Sequence, residues 1–342
     1  MGNIIVGTGS YLPSTIVTNQ DLLAFVDLSQ FDTERSGPYD QWVSRTMGFE
    51  ERRWAGDDQA TSDLAHGAAM QALEQAKLTP QDIGMIIVST TTPDRKMPNT
   101  ASILQGKLGA GGCSLAFDVG SACSGFVFAL HIADAMMKQY AGYEHVLVVG
   151  AEKGTSVIDR RHYITGPTFG DGAGAVVLSR SATPGWGILG SYARSDGEKA
   201  DLVYVPAGGS ALPIGPGNIE DVYAQGLQGI KLDPPRLKLA AIEKLVDAAQ
   251  NVLNDQGLTP KDIAYWLPHQ GGKRIVEGTV KALGLAEERV LTNFRRYGNT
   301  SQASIPILLH EHRHLFRPGD LIMMFAMGSG LGWGAVLYQW RE

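Results

Sequence analysis

The sequence predicts an α/β fold made of two copies of one unit, on three observations. Residues 78–88 (Leu-Thr-Pro-Gln-Asp-Ile-Gly-Met-Ile-Ile-Val) and 258–268 (Leu-Thr-Pro-Lys-Asp-Ile-Ala-Tyr-Trp-Leu-Pro) share a frame in which Thr-Pro-x-Asp turns from a helix into an apolar run. Residues 170–178 and 328–337 share a second, glycine-rich frame that runs into an apolar strand. Apolar runs of strand length, residues 146–149 and 321–325, precede the two glycine-rich segments.

In order, each copy reads helix, strand, helix, strand, glycine turn, strand. The offset is 180 residues at the first frame (258 − 78) and 158 at the second (328 − 170), so the halves carry different insertions. Ser-Ala-Thr-Pro-Gly within residues 179–187 breaks the pattern and divides the chain into 1–180 and 181–342. Gly7-Thr8-Gly9-Ser10 reads as a turn after the first strand. A short strand at Leu115–Val119 leads into a helix that starts near Cys123, with Phe126, Leu130, Ala133 and Met137 at helical spacing. In the second copy a strand over 263–267 ends at Pro268-His269-Gln270. A helix over about 303–310 follows the turn Arg296-Tyr297-Gly298-Asn299-Thr300-Ser301.

Composition excludes several classes. The 342 residues are 44% hydrophobic and 19% charged, which suits a large buried core and not a disordered chain. A net charge of −6 excludes a general nucleic-acid binder and leaves any basic docking patch local. No apolar run approaches the ~18 residues of a membrane span, and the N-terminus lacks a signal-peptide core, so the expectation is a cytoplasmic protein. Two cysteines, Cys113 and Cys123, are too few for a disulfide framework or a Cys-rich zinc site.

The chemistry concentrates at the ends of the repeated strands. Cys123 lies among Gly120, Ser121, Ala122, Ser124 and Gly125 at a helix start, where the macrodipole favours thiolate and small neighbours admit a substrate. Alone, the segment suits a nucleophile or a buried structural thiol equally; Cys113 reads as structural. His269 stands just past a strand end, as site residues of α/β folds do. Asn299 sits in the turn that the duplication places opposite the Cys123 turn, so Cys123, His269 and Asn299 converge.

At these residues the chain resembles the β-ketoacyl-acyl-carrier-protein synthase III family of thiolase-fold condensing enzymes. The resemblance spans residues 42–52, the Cys123 turn, Phe169-Gly170-Asp171-Gly172-Ala173-Gly174, Pro268-His269-Gln270, Tyr297-Gly298-Asn299-Thr300-Ser301 and the terminal glycine turn. It implies a five-layered α-β-α-β-α fold, a homodimer, and an acyltransferase that needs no cofactor. The implied reaction moves an acyl group from acyl-CoA to Cys123 and then condenses it with malonyl-acyl-carrier protein, with loss of CO2, to start a fatty acid or polyketide. Cys123, His269 and Asn299 match the catalytic triad, and the backbone N–H groups of Cys123 and Ser329 match the oxyanion hole. Trp42 and Arg161 match or neighbour the positions that enclose the adenine of coenzyme A, although Tyr163 fills the arginine's own place. Likewise Thr46, with Arg45 adjacent, stands at a usual arginine. Met97 matches the gate of the acyl pocket, and residues 29–40 form an insertion near the entrance. On the helix after His269, Lys273, Arg274 and Lys281 offer a basic face for an acidic carrier protein, and Arg274 matches the family's docking arginine.

Other readings compete. A thiolase-fold acyltransferase forming an ester or amide without decarboxylation would use the same residues, and a partner-dependent ketosynthase subunit would need only the fold. His310-Glu311-His312-Arg313-His314 matches the zinc-protease pattern, but Phe316-Arg317-Pro318-Gly319-Asp320 stops that helix at once.

Overall fold

In the computed structural model, which describes residues 2–183 and 185–341, two sheets repeat one topology. The strands are β1 (Gly2–Tyr11), β2 (Thr15–Thr18), β3 (Glu51–Trp54), β4 (Met85–Ser89), β5 (Leu115–Val119), β6 (His145–Lys153) and β7 (Asp171–Ser181) in the first part of the chain. There follow β8 (Gly187–Ser195), β9 (Val203–Tyr204), β10 (Lys231–Leu232), β11 (Tyr265–Pro268), β12 (Leu321–Gly328) and β13 (Gly332–Gln339). One sheet has the order β1-β7-β6-β4-β5 and the other β11-β12-β13-β8. Strands β4 and β6 are parallel, and β7 returns antiparallel to pair with β1; β11, β12, β13 and β8 repeat those steps. The counterpart of β5 is reduced to a single parallel bridge, Trp266 to Val290.

The six main helices are α1 (Thr61–Ala76), α2 (Thr100–Leu108), α3 (Gly125–Gln139), α4 (Pro234–Gln256), α5 (Lys273–Leu283) and α6 (Ser304–His312). The central core joins both sheets across α3 and α6: Ile87, Val148 and Leu178 from one side meet Phe126, Leu130 and Leu308, then Met324 and Val336 from the other. Helices α1 and α2 cover the outer face of the first sheet, and α4 covers that of the second. The layers therefore run α-β-α-β-α. Strand β4 is buried at every residue, which is why its sequence is continuously apolar rather than alternating.

The repeated Thr-Pro-x-Asp frame has one physical cause in both halves. The Asp82 carboxylate accepts from the Thr79 N–H and hydroxyl, both at 2.7 Å; Asp262 does the same for Thr259 at 2.8 and 2.7 Å. Each is a capping box with proline at the first helical position. It closes the outer helix and aims the chain into the sheet.

Two glycine-rich expectations are corrected. Residues 7–10 are not a turn: β1 runs through them, with a bulge between Ile5 and Gly7. A Cβ at Gly7 or Gly9 would collide with the Ala72 and Ala68 carbonyls, so these glycines let α1 lie directly on the strand. The run at 170–178 likewise lies largely within β7 rather than in a turn before it, whereas the run at 328–337 does turn, over residues 329–331 between β12 and β13.

Candidate active site

The Cys123 turn is built by steric economy. The chain leaves β5, passes Ala122 with φ +43°, makes one 3-10 turn over Ala122–Ser124 and enters α3 at Gly125. Ser124 closes the turn by donating to the Ser121 carbonyl at 2.7 Å. From the other half, Gly328 at the end of β12 faces this turn. A Cβ there would lie 2.7 Å from the Cys123 nitrogen and 2.8 Å from the Ser121 oxygen and the Ser124 nitrogen.

His269 continues the pairing of β11, its N–H donating to the Phe325 carbonyl at 2.9 Å. Its side chain is 5% exposed, and Nδ1 lies 2.9 Å from the Ser304 hydroxyl at the start of α6. Asn299 is pinned by its N–H to the Thr168 carbonyl (2.8 Å) and by its carbonyl to the Gly170 N–H (3.1 Å). Its side-chain Oδ1 accepts from the Ser301 N–H at 2.8 Å, which commits the amide NH2 to the cavity side. A cavity of about 370 Å³ is lined by Cys123, His269, Asn299, Ser301 and Ser329, and continues along Val157, Phe169, Ile230, Leu232 and Leu245.

Electrostatics differ from the expectation of a thiolate. Burial pushes the Cys123 thiol up to about 11; a hydrogen bond from Ser301 works against that, and the Glu152 carboxylate adds to it. The macrodipole loses to desolvation here, because the regular helix starts only at Gly125, beyond the thiol. Burial also lowers His269 to about 4, partly opposed by a hydrogen bond to the Ser301 main chain. Thiol and imidazole are both neutral at pH 7.

A second cavity of about 290 Å³ shares Thr168, Leu232, Leu237, Gly271 and Ile275 with the first and extends to Trp42, Thr46, Lys273 and Arg274. Together the two describe a path from a basic, aromatic mouth to the Cys123 sulfur.

Comparison with known proteins agrees with this arrangement. The family model described as 3-oxoacyl-[acyl-carrier-protein (ACP)] synthase III matches residues 117–197, and its C-terminal companion matches residues 253–340. A β-ketoacyl-[acyl-carrier-protein] synthase III of Caldanaerobacter subterraneus subsp. tengcongensis is 42% identical over 340 residues, covering 99% of this chain and 98% of that protein. The chain belongs to the β-ketoacyl-[acyl-carrier-protein] synthase III family. It is an acyltransferase of that class, with the family's thiolase-like fold. The crystal structure of 3-oxoacyl-[acyl-carrier-protein] synthase III from Aquifex aeolicus matches with a TM-score of 0.87 at 36% identity, over 99% of this chain and all of that one. The corresponding Pseudomonas aeruginosa structure gives 0.87 at 30% identity, over 100% and 99%.

Met97, Arg161 and Lys281 lie away from both cavities of this chain. Met97 does not line the cavity: it is 81% exposed, on the loop after β4. Arg161 points to solvent in an ion pair with Asp159 at 3.2 Å, and lines neither cavity. Trp42 does reach the mouth, but in a cluster with Phe31, Tyr39 and Tyr163; its ring stacks on Tyr39 and lies 6.3 Å from Tyr163 at 46°. Phe31 and Tyr39 come from the insertion at residues 29–40, which therefore packs on Trp42. On α5, Lys273 and Arg274 stand at the mouth, whereas Lys281 lies two turns farther along, off both cavities.

The His310–His314 run makes separate contacts: His310 Nδ1 with Thr8 at 2.9 Å, His314 Nδ1 with the Glu311 carbonyl at 3.0 Å, and the Glu311 carboxylate with Asn293, Arg296 and Tyr297. Among the described residues no group of three His, Cys, Asp or Glu is placed to hold a metal, and no helix is long and apolar enough to cross a membrane. Sequence reasoning missed Ser301, Ser304 and Gly328, whose parts depend on contacts between the two halves. The positions of Ser301 and Ser304 directly after Asn299 were the available signal.

Proposed function

We propose that this synthase III carries its acyl intermediate on Cys123 and uses His269 and Asn299 to form the carbon–carbon bond. The observation that carries the reading is the convergence of these three side chains and Ser329 on one cavity with an apolar extension. In the first half-reaction Cys123–SH exchanges with an acyl thioester, giving Cys123–S–CO–R and the free carrier thiol. The thiol proton ends on the departing sulfur, so no net base is consumed. The N–H groups of Cys123 and Ser329 are the donors to the tetrahedral oxyanion.

In the second half-reaction the malonyl thioester of a carrier protein loses CO2, and its enolate attacks the acyl carbonyl. The enolate expels the Cys123 thiolate, which takes up a proton. His269 and Asn299 need only stabilise the enolate oxygen. The Asn299 NH2 is free for this because Oδ1 is held by Ser301. The role of donor to the enolate requires the tautomer with hydrogen on Nε2, which the Ser304 hydroxyl supports when it donates to Nδ1. Each donor contributes about 3 kcal/mol to barrier lowering.

The second cavity suits the phosphopantetheine arm common to coenzyme A and carrier protein, with Lys273 and Arg274 at the mouth for an acidic carrier. The tilted Trp42–Tyr163 pair offers no parallel slot for an adenine, which favours delivery of the starter on a carrier protein.

The test separates the half-reactions. In His269→Ala and Asn299→Ala the acyl adduct persists while CO2 release from malonyl-carrier protein falls by about a hundredfold or more. Equal loss of both half-reactions would contradict the separated roles. Acyl transfer to a hydroxyl or amine without CO2 release would point instead to an ester- or amide-forming enzyme.

A further inference from the structure

We infer that the Ser301 hydroxyl is a fourth catalytic group of this site, donating to the Cys123 sulfur whenever that sulfur carries charge; the inference rests on Cys123 being the nucleophile. Ser301 Oγ lies 3.5 Å from Cys123 Sγ, within the longer reach of hydrogen bonds to sulfur. The residue is 6% exposed, and its hydroxyl makes no other hydrogen bond among the described residues. It is therefore a donor buried against one acceptor, and that acceptor is the nucleophile.

The backbone is held in an uncommon conformation to achieve this. Among the described residues only Lys77, Ala122 and Ser301 have positive φ without being glycine. Lys77 is an ordinary helix C-cap. The other two, at +43° and +51°, flank the thiol from opposite halves of the molecule. Strain of this kind persists where the surroundings impose it, and it collects at functional sites. In this conformation Ser301 presents its N–H to Asn299 Oδ1, its main chain to His269 and its hydroxyl to Cys123.

Chemistry supplies the need. The titratable groups facing Cys123 are His269, past the end of β11, and Glu152, near the end of β6. Burial holds the first neutral and the second is a carboxylic acid, so no cation is present to stabilise a thiolate. Glu152 is itself held by Thr91, Thr92 and Gln302, which fixes the position of its carboxyl group. A neutral O–H donor is then the group that eases thiolate formation in acyl capture and its departure after enolate attack. The hydroxyl keeps its proton throughout; the proton of Cys123 passes to the leaving thiol.

The experiment measures iodoacetamide alkylation of Cys123 from about pH 6 to about pH 9, and acyl capture by mass spectrometry, in wild type, Ser301→Ala and Ser301→Gly. Both variants lose the hydroxyl but keep the N–H to Asn299, and glycine also removes the strain at φ +51°. The expected result is alkylation and acyl capture about tenfold slower or more in both variants at every pH. CO2 release by enzyme acylated beforehand, which precedes departure of the thiolate, stays within about threefold, since His269 and Asn299 are untouched. Rates within about twofold of wild type in both variants would overturn the proposal while leaving Cys123 as nucleophile, as would slowing in the alanine variant alone or an equal fall in acyl capture and CO2 release. An adduct that survives Cys123→Ala would instead remove the reading beneath it.

Discussion

Cys123 and His269 face one cavity without exchanging a proton. The thiol is held near 11 and the imidazole near 4, both chiefly by burial, so over the intervening range neither is charged. An imidazolium–thiolate pair would give alkylation of Cys123 a plateau near neutrality. The account instead predicts an alkylation rate rising about tenfold per pH unit from about pH 6 to about pH 9, with no plateau; a plateau below pH 8 would show the paired state. At this scale the residue types were legible in the sequence, because a cysteine among small residues, a histidine past a strand and an asparagine in the matching turn are visible in one dimension. Charge states were not. They depend on desolvation by β12, α6 and the Ser301 turn, which lie about 180 to 200 residues away from Cys123 in sequence.

Between elements, the close approach of backbones decides the geometry. Gly328 brings the end of β12 against the Cys123 turn, and a methyl group there has only main-chain atoms to displace. Gly328→Ala is expected to destabilise the fold by about 1–3 kcal/mol and to slow acyl capture by about a hundredfold. Gly111→Ala, with open space around it, is the control and leaves both unchanged. Thermal unfolding and adduct mass measure the two effects; a fully active Gly328→Ala would refute the contact. The glycine-rich segments were visible in the sequence as repeats and were read as turns, which holds at residues 329–331 but not at 7–10 or 170–178, since a glycine reports open φ and close packing equally well. Only the neighbours choose between them: Ala68 and Ala72 against β1, and Cys123 against β12. Met97 lies on the exposed loop after β4, off this chain's cavity, for a related reason. Alignment gives a position, whereas the loop after β4 determines where the side chain points.

Across the whole molecule, the duplication written in the two Thr-Pro-x-Asp frames reappears as two sheets with the same strand directions, and the central α3–α6 layer exists because each sheet has an apolar face to cover. What the repeat does not balance is β5, an open edge in the first sheet with only a single bridge as its counterpart in the second. Leu115 at the start of that edge is 44% exposed, and Ala116, Phe117 and Val119 are half-buried. An unpaired and mostly apolar edge invites pairing with a second copy. We propose a homodimer joined through β5, and expect Leu115→Lys to weaken it without lowering the unfolding temperature of the monomer. Sedimentation at several concentrations reads this directly; an unchanged dimer in Leu115→Lys would move the interface elsewhere.

The claim on which the rest depends is that the path from the basic mouth to Cys123 delivers an acyl group to that sulfur. Intact-protein mass spectrometry after incubation with a panel of acyl-CoAs and acyl-carrier proteins tests it most directly, with Cys123→Ala beside the wild type. The account predicts an added acyl mass in the wild type, none in Cys123→Ala, and a larger yield from carrier-bound than from CoA-bound donors. An adduct of equal yield in Cys123→Ala, or none from any donor in the wild type, would contradict it.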